Sequence, residues 1–247
     1  MTPCQVDSWR EHLAGWILPP QCVLCRGRGQ RPVLDLCARC QADLPLLERP
    51  CPRCGQSRDS GDDDGPDCSG CHGQVLPIVG SFAPFVYAAP LDGIIHGLKY
   101  DGALANARVL GTLLGRAVVA QGRQGEVDVL VPMPLHPARV VERGFNQSFE
   151  IARFVARIVR LPCEPHGLAR VRATASQVGL ARVERERNVE HAFGRGTRSD
   201  HVNGHRVALI DDVVTTGSTV FEAARALLAS GAGSVQVWSV GRALPSR

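Results

Sequence analysis

Short hydrophobic runs alternate with amphipathic stretches from residue 81 to the end of the chain. The continuous apolar runs predict strands over 81–88, 127–134, 205–211 and 234–240. Between them, apolar residues recur every three or four positions, which predicts helices over 91–102, 104–122, 146–161 and 218–231. Strands that are apolar on both faces and alternate with helices form mostly parallel sheets covered by helices. We therefore predict an α/β domain that binds ligands where its strands lead into loops.

Cysteine replaces this regular spacing in the first 71 residues. Nine of the ten cysteines lie there, and eight form the C-x-x-C pairs Cys22/Cys25, Cys37/Cys40, Cys51/Cys54 and Cys68/Cys71. Two pairs complete the tetrahedral set of thiolates that zinc prefers, and four cysteines leave no open position for catalysis. We predict one or two structural zinc ions, each contributing on the order of 10 kcal/mol to folding. Sequential pairing, crossed pairing and replacement of one ligand by His72 stay open.

The chain divides into three predicted parts: a helix within 1–20, a cysteine-rich zinc-ribbon domain over 21–78 and the α/β domain over 79–247. The first helix either packs on the body or binds a partner, because its apolar residues share one face: Trp9, Leu13, Trp16 and Ile17. Gly27 and Gly55 follow two of the C-x-x-C pairs, and we expect positive φ angles there as the chain turns around the metal.

Composition excludes several classes of protein. No apolar run is long enough to span a bilayer, and the amino terminus lacks the basic start and apolar core of a signal peptide. We therefore expect a cytoplasmic protein without an integral membrane segment. Lys99 is the only lysine, so arginine supplies the other 27 of the 28 basic residues. Arginine forks suit phosphate oxygens, although a GC-rich coding sequence would also explain this bias.

The stretch HRVALIDDVVTTGST (205–219) joins an apolar strand to two acids and a loop of small residues. The loop precedes a helix, so its N–H groups and hydroxyls suit a phosphate, with these candidates: Thr215, Thr216, Gly217, Ser218 and Thr219. Asp211 and Asp212 suit the vicinal hydroxyls of a sugar, or Mg²⁺ bound through water. A phosphate and a diol one sugar apart describe a ribose 5-phosphate. A capped helix after a strand would explain Thr216 or Ser218 but not the acids.

VALIDDVVTTGST resembles the phosphoribosyl pyrophosphate (PRPP) motif of type I phosphoribosyltransferases. RGFNQS (143–148), LKY (98–100) and RATASQVGL (172–180) resemble the ComF family and the related GntX proteins. The resemblance covers nearly the whole chain. It implies a type I phosphoribosyltransferase-like fold, with a mostly parallel sheet flanked by helices and a small zinc-ribbon domain at the amino terminus.

The resemblance also implies residue roles. Asp211 and Asp212 would contact the ribose hydroxyls, and Thr215 to Thr219 would hold the 5-phosphate. The turn from Pro132 to His136 would bind pyrophosphate, with Arg139 and Arg143 nearby. The candidate catalytic residues are Asp211, Asp212 and Arg143, and the further PRPP-binding candidates are Pro134, Leu135, His136 and Lys99. Lys99 either neutralises phosphate or packs its stem. The segment from Arg170 to Arg187 is either a mobile loop that closes over substrate or an ordinary solvated helix.

Three functions are compatible with these features. The first is a Mg²⁺-dependent phosphoribosyltransferase, for whose acceptor no residue set is visible. The second is a non-catalytic PRPP sensor, because a binding motif does not establish turnover. The third is an adaptor that binds single-stranded DNA, since resemblance to ComF proteins implies a role in DNA uptake during natural transformation or in the use of external DNA. A homodimer stays open.

Overall fold

The computed structural model describes residues 19–31, 34–58, 67–174 and 187–244. The predicted helix within 1–20 and most of the predicted loop from Arg170 to Arg187 lie outside these ranges, and the three-part division of the chain stays a prediction. No helix in the described ranges is long and apolar enough to cross a membrane.

A parallel sheet forms the centre of the fold, with strand order β1–β7–β6–β3. The short strand β2 also pairs with β7, further along β7 toward its carboxyl end than β1 does. A second, antiparallel sheet joins β4 to β5. The strands are β1 (Gly80–Phe82), β2 (Phe85–Val86), β3 (Val129–Pro132), β4 (Leu168–Arg170), β5 (Phe193–Arg195), β6 (Arg206–Val214) and β7 (Ser234–Arg242). The predicted mostly parallel α/β architecture is confirmed.

Helices cover both faces of the central sheet. The α-helices within the described residues are α1 (Ala38–Ala42), α2 (Leu91–Tyr100), α3 (Leu104–Ala120), α4 (Pro137–Arg143), α5 (Gln147–Val159) and α6 (Ser218–Ala229), of which α2, α3, α5 and α6 contribute to the cores on the sheet. Helices α2, α3 and α5 pack on one face, whereas α6 and the small sheet pack on the other.

Alternation along β6 explains the two cores. Ala208 and Ile210 enter the core shared with α2, α3 and α5, while Val207 and Leu209 enter the core shared with α6. Successive side chains of a strand point to opposite faces, so a strand buried on both sides must be apolar throughout. This requirement explains the unbroken apolar run that precedes Asp211.

The structure corrects several predicted boundaries. The strand predicted over 81–88 is interrupted at Ala83 and Pro84, where Pro84 offers its carbonyl to Leu47 of the cysteine-rich region. The strand predicted over 205–211 continues to Val214, because β7 extends beside it to Arg242. Helix α4 and the small sheet β4–β5 were absent from the prediction, since neither has enough residues to show a period.

Two glycines allow α3 and α5 to approach closely. A Cβ atom on Gly111 would lie 2.5 Å from the Ile151 carbonyl oxygen, and one on Gly115 would lie 3.0 Å from Cβ of Ile158. Gly111 cannot gain a methyl group unless the two helices separate, whereas at Gly115 the side chain of Ile158 would have to shift.

We expect Gly111→Ala to lower the free energy of unfolding by about 2 kcal/mol, because overpacking at this contact outweighs the better helix propensity of alanine. Gly93→Ala is the matched control, since a Cβ atom in this part of α2 would meet no atom within 4 Å. The control should be neutral or stabilising by about 0.5 kcal/mol. Denaturant unfolding measures both, and equal effects would contradict the close approach.

Candidate functional site

Asp211 and Asp212 lie inside β6 and are only 8% and 3% exposed. The sequence placed them at the tip of the strand, but two further residues of β6, Val213 and Val214, follow before the loop begins. Asp211 pairs with Ser239 in the register of β7. The two carboxylates are therefore held by the sheet and need partners from the helices above it.

Asp211 is held by one side chain and one backbone group. Its Oδ1 atom accepts a hydrogen bond from Ser148 Oγ at 3.0 Å and another from the N–H of Asp212 at 2.9 Å. Burial and the neighbouring charge of Asp212 raise the pKa of Asp211 to about 7, although Lys99 acts in the opposite direction. The protonated form of this carboxyl is therefore favoured more than in a solvent-exposed aspartate.

Asp212 is the ion-pair partner of Lys99, which reaches it from the last turn of α2. Burial disfavours the charged form of Lys99, but the attraction of Asp212 outweighs it and raises the pKa of the ammonium group. Gln147 Nε2 donates to Asp212 Oδ1 at 3.3 Å, and Arg143 Nη1 donates to Gln147 Oε1 at 2.6 Å. Lys99 and Arg143 thus both join the network around the acids.

Ser148 and Gln147 were not singled out in the sequence. Both stand in the first turn of α5, where Asn146 caps the helix by accepting from the N–H groups of Ser148 and Phe149. The residues NQS (146–148) were recognisable in the sequence as the start of a helix. The acids that Gln147 and Ser148 contact, however, lie more than sixty residues further along the chain.

The loop after β6 leads directly into α6. Gly217 has a φ of 92° and precedes the helix, and a Cβ atom there would lie 2.8 Å from the Phe221 ring. Thr216 Oγ1 lies 3.0 Å from Ser218 Oγ. The first N–H groups of a helix have no acceptor within the helix, so the start of α6 can receive an anion beside these hydroxyls.

The turn from Pro132 to His136 joins β3 to α4. His136 caps α4 through its ring, whose Nδ1 accepts from the N–H of Ala138 at 3.3 Å. Pro134 is buried and Leu135 is half-buried. Asn146 Nδ2 donates to the Met133 carbonyl at 3.0 Å, so the start of α5 holds this turn in place.

Arg170, at the end of β4, is attracted by Asp211 and lies near two further arginines, Arg139 and Arg172. Burial lowers the pKa of the Arg170 guanidinium, and the positive charges of Arg139 and Arg172 lower it further, whereas Asp211 attracts it. The Arg170 guanidinium also lies over the Phe193 ring, 5.4 Å from its centroid. Mutual repulsion among arginines leaves a positive region suited to a polyanion.

The cysteine pairs assemble sequentially into two clusters. Cys22, Cys25, Cys37 and Cys40 form the first, and Cys51, Cys54, Cys68 and Cys71 form the second, with all ligand atoms of each within 4.8 Å of one another. The sulfurs of Cys25 and Cys37 are 3.7 Å apart, and those of Cys54 and Cys68 are 3.6 Å apart. A tetrahedral zinc with bonds near 2.3 Å needs sulfurs about 3.8 Å apart, so both clusters fit structural zinc. His72 belongs to neither cluster.

The same backbone turn opens both clusters. In the first cluster, the N–H of Cys22 donates to the Gly27 carbonyl and the N–H of Arg26 donates to the Cys22 carbonyl. In the second, the N–H of Cys51 donates to the Gln56 carbonyl and the N–H of Gly55 donates to the Cys51 carbonyl. Gly55 has the expected positive φ of 71°, but Arg26, not Gly27, takes the equivalent position with a φ of 62°. The expectation for Gly27 was wrong because the turn places the left-handed residue four positions after the first cysteine.

The first cysteine of each turn favours the thiolate, whereas burial raises the pKa of Cys54 to about 11. Burial opposes ionisation of Cys22, yet N–H groups of Cys25, Cys37 and Leu24 lower its pKa to about 6. The pKa of Cys51 is also lowered, because N–H groups of its own turn outweigh the effect of burial. A metal ion binds the thiolate form, so both turns are suited to it.

Comparison with known proteins identifies relatives along almost the whole chain. A family model described as a double zinc ribbon domain matches residues 13–72. DNA utilization protein YhgH of Escherichia coli (strain K12) is 34% identical over 233 residues, which cover 92% of this chain and 99% of the relative. Competence protein F of Haemophilus influenzae is 29% identical over 231 residues, which cover 90% of this chain and 97% of the relative.

Among solved structures, an allosteric regulatory enzyme of purine biosynthesis is similar at a TM-score of 0.36 and 25% identity, over 53% of this chain and 25% of that one. The family itself follows from the relatives that match nearly end to end. The chain belongs to the ComF family, and it joins a double zinc ribbon to a mostly parallel α/β domain.

Proposed function

We propose that this protein binds PRPP at the acid pair and the adjoining loop. The observation that carries the proposal is the arrangement of Asp211 and Asp212 within one strand that leads directly to the start of α6. Ribose hydroxyls at the acids and a 5-phosphate at Thr215 to Thr219 would satisfy both ends of this unit. The N–H groups at the helix start and the two hydroxyls 3.0 Å apart support a phosphate there.

We propose that the turn containing Pro134, Leu135 and His136 binds the pyrophosphate group of PRPP. Arg170 supports this placement, because burial and the positive charges of Arg139 and Arg172 disfavour its charged form, and a bound anion would offset that cost. Arg143 and Lys99 contribute further positive charge beside Asp212. Mg²⁺ would accompany PRPP, since oxygen ligands and phosphate groups are its usual partners.

Transfer is the reaction that such a site supports best. A nucleophilic acceptor attacks C1 of the ribose, the bond from C1 to pyrophosphate breaks, and its electron pair leaves with pyrophosphate. The chain's contribution is positioning and charge: the acids orient the ribose, and the arginines stabilise the departing anion. A protein that only senses PRPP would use the same binding contacts and release no pyrophosphate.

We also propose a cytoplasmic role in DNA uptake or in the use of external DNA. The names of the YhgH and competence protein F relatives support it. Thiolate pairs persist in a reducing compartment, which supports the location. A direct adaptor for single-stranded DNA is the second candidate, favoured by the excess of arginine.

The binding proposal is tested by Asp211→Asn with Asp212→Asn in one variant, which keeps the shape of both side chains. Calorimetric titration of Mg²⁺ and PRPP should show binding to the wild-type protein and at least about a hundredfold loss in the variant. Asp92→Asn, at the outer start of α2, is the control and should bind as the wild type does. Unchanged affinity in the double variant would refute the site.

The raised pKa of Asp211 predicts that this acid destabilises the fold. In the unfolded chain the carboxyl ionises near its ordinary value of 3.8, but in the folded chain only near 7. The unfavourable ionisation therefore builds up between about pH 4 and 7 and is complete above 7. Asp211→Asn should melt several degrees higher than the wild type at pH 8, about 4 °C, with a gap that shrinks as pH falls from 7 to 4.

Thermal melts of both proteins across that pH range measure the gap. Asp92→Asn again serves as the control, because its carboxylate is in contact with solvent. A variant that is less stable than the wild type at pH 8 would contradict the prediction.

The role in DNA use is tested in a cell that lacks its own copy of the gene. The wild-type chain should restore uptake or use of external DNA, and the double Asn variant should not. Full restoration by that variant would separate the DNA role from the acid pair and favour the adaptor.

A further inference from the structure

Arg242, the last residue of β7, contacts the end of β6 where the chain enters the phosphate loop (Thr215 to Thr219). Its side chain is 4% exposed. Nη1 donates to the carbonyl oxygen of Val214 at 2.9 Å and also to that of Thr215. Arg242 pairs with Val214 in the register of the sheet as well. One buried guanidinium thus fixes the two residues that precede Thr216 and Gly217.

A buried guanidinium needs a negative partner, and no described carboxylate forms an ion pair with Arg242. Its Nε makes no hydrogen bond to any described residue. The stem passes the second cysteine cluster, since Cδ lies 3.9 Å from the position of a Cβ atom on Gly55. Burial lowers the pKa of Arg242, and the thiolate charges of Cys54, Cys68 and Cys71 oppose that change.

The second cluster is fixed against the same edge of the sheet. The N–H of Ser81 in β1 donates to the Pro52 carbonyl at 3.0 Å. A Cβ atom on Gly55 would lie 2.8 Å from Ser81 Oγ, so only glycine permits this approach. The cluster therefore sits at a set distance from β7, where Arg242 reaches it.

Four cysteine ligands around one Zn²⁺ make a doubly negative group, because zinc binds them as thiolates. Such a group is the counter-charge that the buried guanidinium otherwise lacks. Around the first cluster, the described residues show a different pairing: Asp35 forms an ion pair with Arg108 of α3, beside the core that α2, α3 and α5 share.

We propose that Arg242 is a positioning residue that couples the second cysteine cluster to the phosphate loop. Zinc in that cluster holds Arg242, and Arg242 holds Val214 and Thr215 in the conformation that receives phosphate. Loss of the cluster releases the guanidinium and loosens the loop. Coupling is reciprocal, so a ligand that fixes the loop also strengthens zinc binding at the second cluster. The effect on PRPP rests on the proposed function, but the effect on the loop does not.

The loop itself is tested first, by hydrogen exchange of peptides that cover 212–220 in the full-length, zinc-loaded protein. Arg242→Met and Cys54→Ser should both speed exchange there, and Arg242→Lys should fall between them and the wild type, since it keeps the charge but not the fork. Arg108→Met is the matched control, a half-buried arginine at the interface of the first cluster. Wild-type exchange in Arg242→Met, or equal loosening in Arg108→Met, would overturn the coupling.

Reciprocity is tested by zinc release to a chromophoric chelator, with and without PRPP and Mg²⁺. PRPP should slow release of one of two zinc ions by about tenfold in the wild type and in Arg108→Met, but not in Arg242→Met. Cys54→Ser, which disrupts the second cluster, should lack the protected phase. A purely structural Arg242 would leave protection intact, which would overturn the proposal. Absence of PRPP binding in the wild type would refute the proposed function instead, with the exchange result deciding the coupling separately.

Discussion

Two neighbouring carboxylates enter the sheet of this protein at a point where water is largely excluded. Ionised carboxylates in such a place need hydrogen bonds and opposite charge, or they take up protons. The chain supplies one ammonium group, Lys99, on Asp212 and one hydroxyl, Ser148, on Asp211. Burial and the charge of Asp212 leave the pKa of Asp211 raised, although Lys99 acts in the opposite direction. The positions of the C-terminal end of α2 and the first turn of α5 follow from this need.

The apolar packing below the acids makes their placement rigid. Helices α3 and α5 meet through Gly111 and Gly115, and this contact sets where the first turn of α5 lies above β6. Asn146 then ties the same turn to Met133, at the end of β3. Helix packing and the hydrogen bonds of Asn146 together fix Ser148 and Gln147 beside the acid pair and hold the β3 turn against the start of α5.

Sequence patterns predicted the elements whose burial repeats along the chain. The parallel sheet, four long helices and zinc sites made of C-x-x-C pairs could be predicted from period and spacing, whereas the pairing of those cysteines stayed open. The end of β6 could not, because Asp211 and Asp212 look like a strand terminus until β7 is known to continue beside them. The break between β1 and β2 likewise depends on Leu47, which bonds to Pro84 from the cysteine-rich region.

In the candidate site, too, some residues could be predicted from the sequence and others could not. The loop and the acids form one contiguous motif, and their assignment to PRPP stays a prediction. Ser148, Gln147 and Arg242 come from other elements, and nothing in their local sequence names the partner that each one meets. Arg26 shows the limit even within a turn: the pattern offered Gly27 for positive φ, whereas hydrogen bonding around Cys22 required it one residue earlier.

The two cysteine clusters therefore serve the fold differently, although their opening turns are alike. Cys22, Leu34 and Leu36 join the core of α2, α3 and α5, so the first cluster is continuous with apolar packing. The second cluster packs mainly on itself and Leu76, and its buried neighbour on the sheet is a charge. Apolar packing does not depend on the charge of a metal site, whereas the stability of a buried guanidinium beside that site does. For that reason we expect zinc occupancy of the second cluster to affect the conformation of the phosphate loop, and zinc occupancy of the first cluster to affect only the packing of the core.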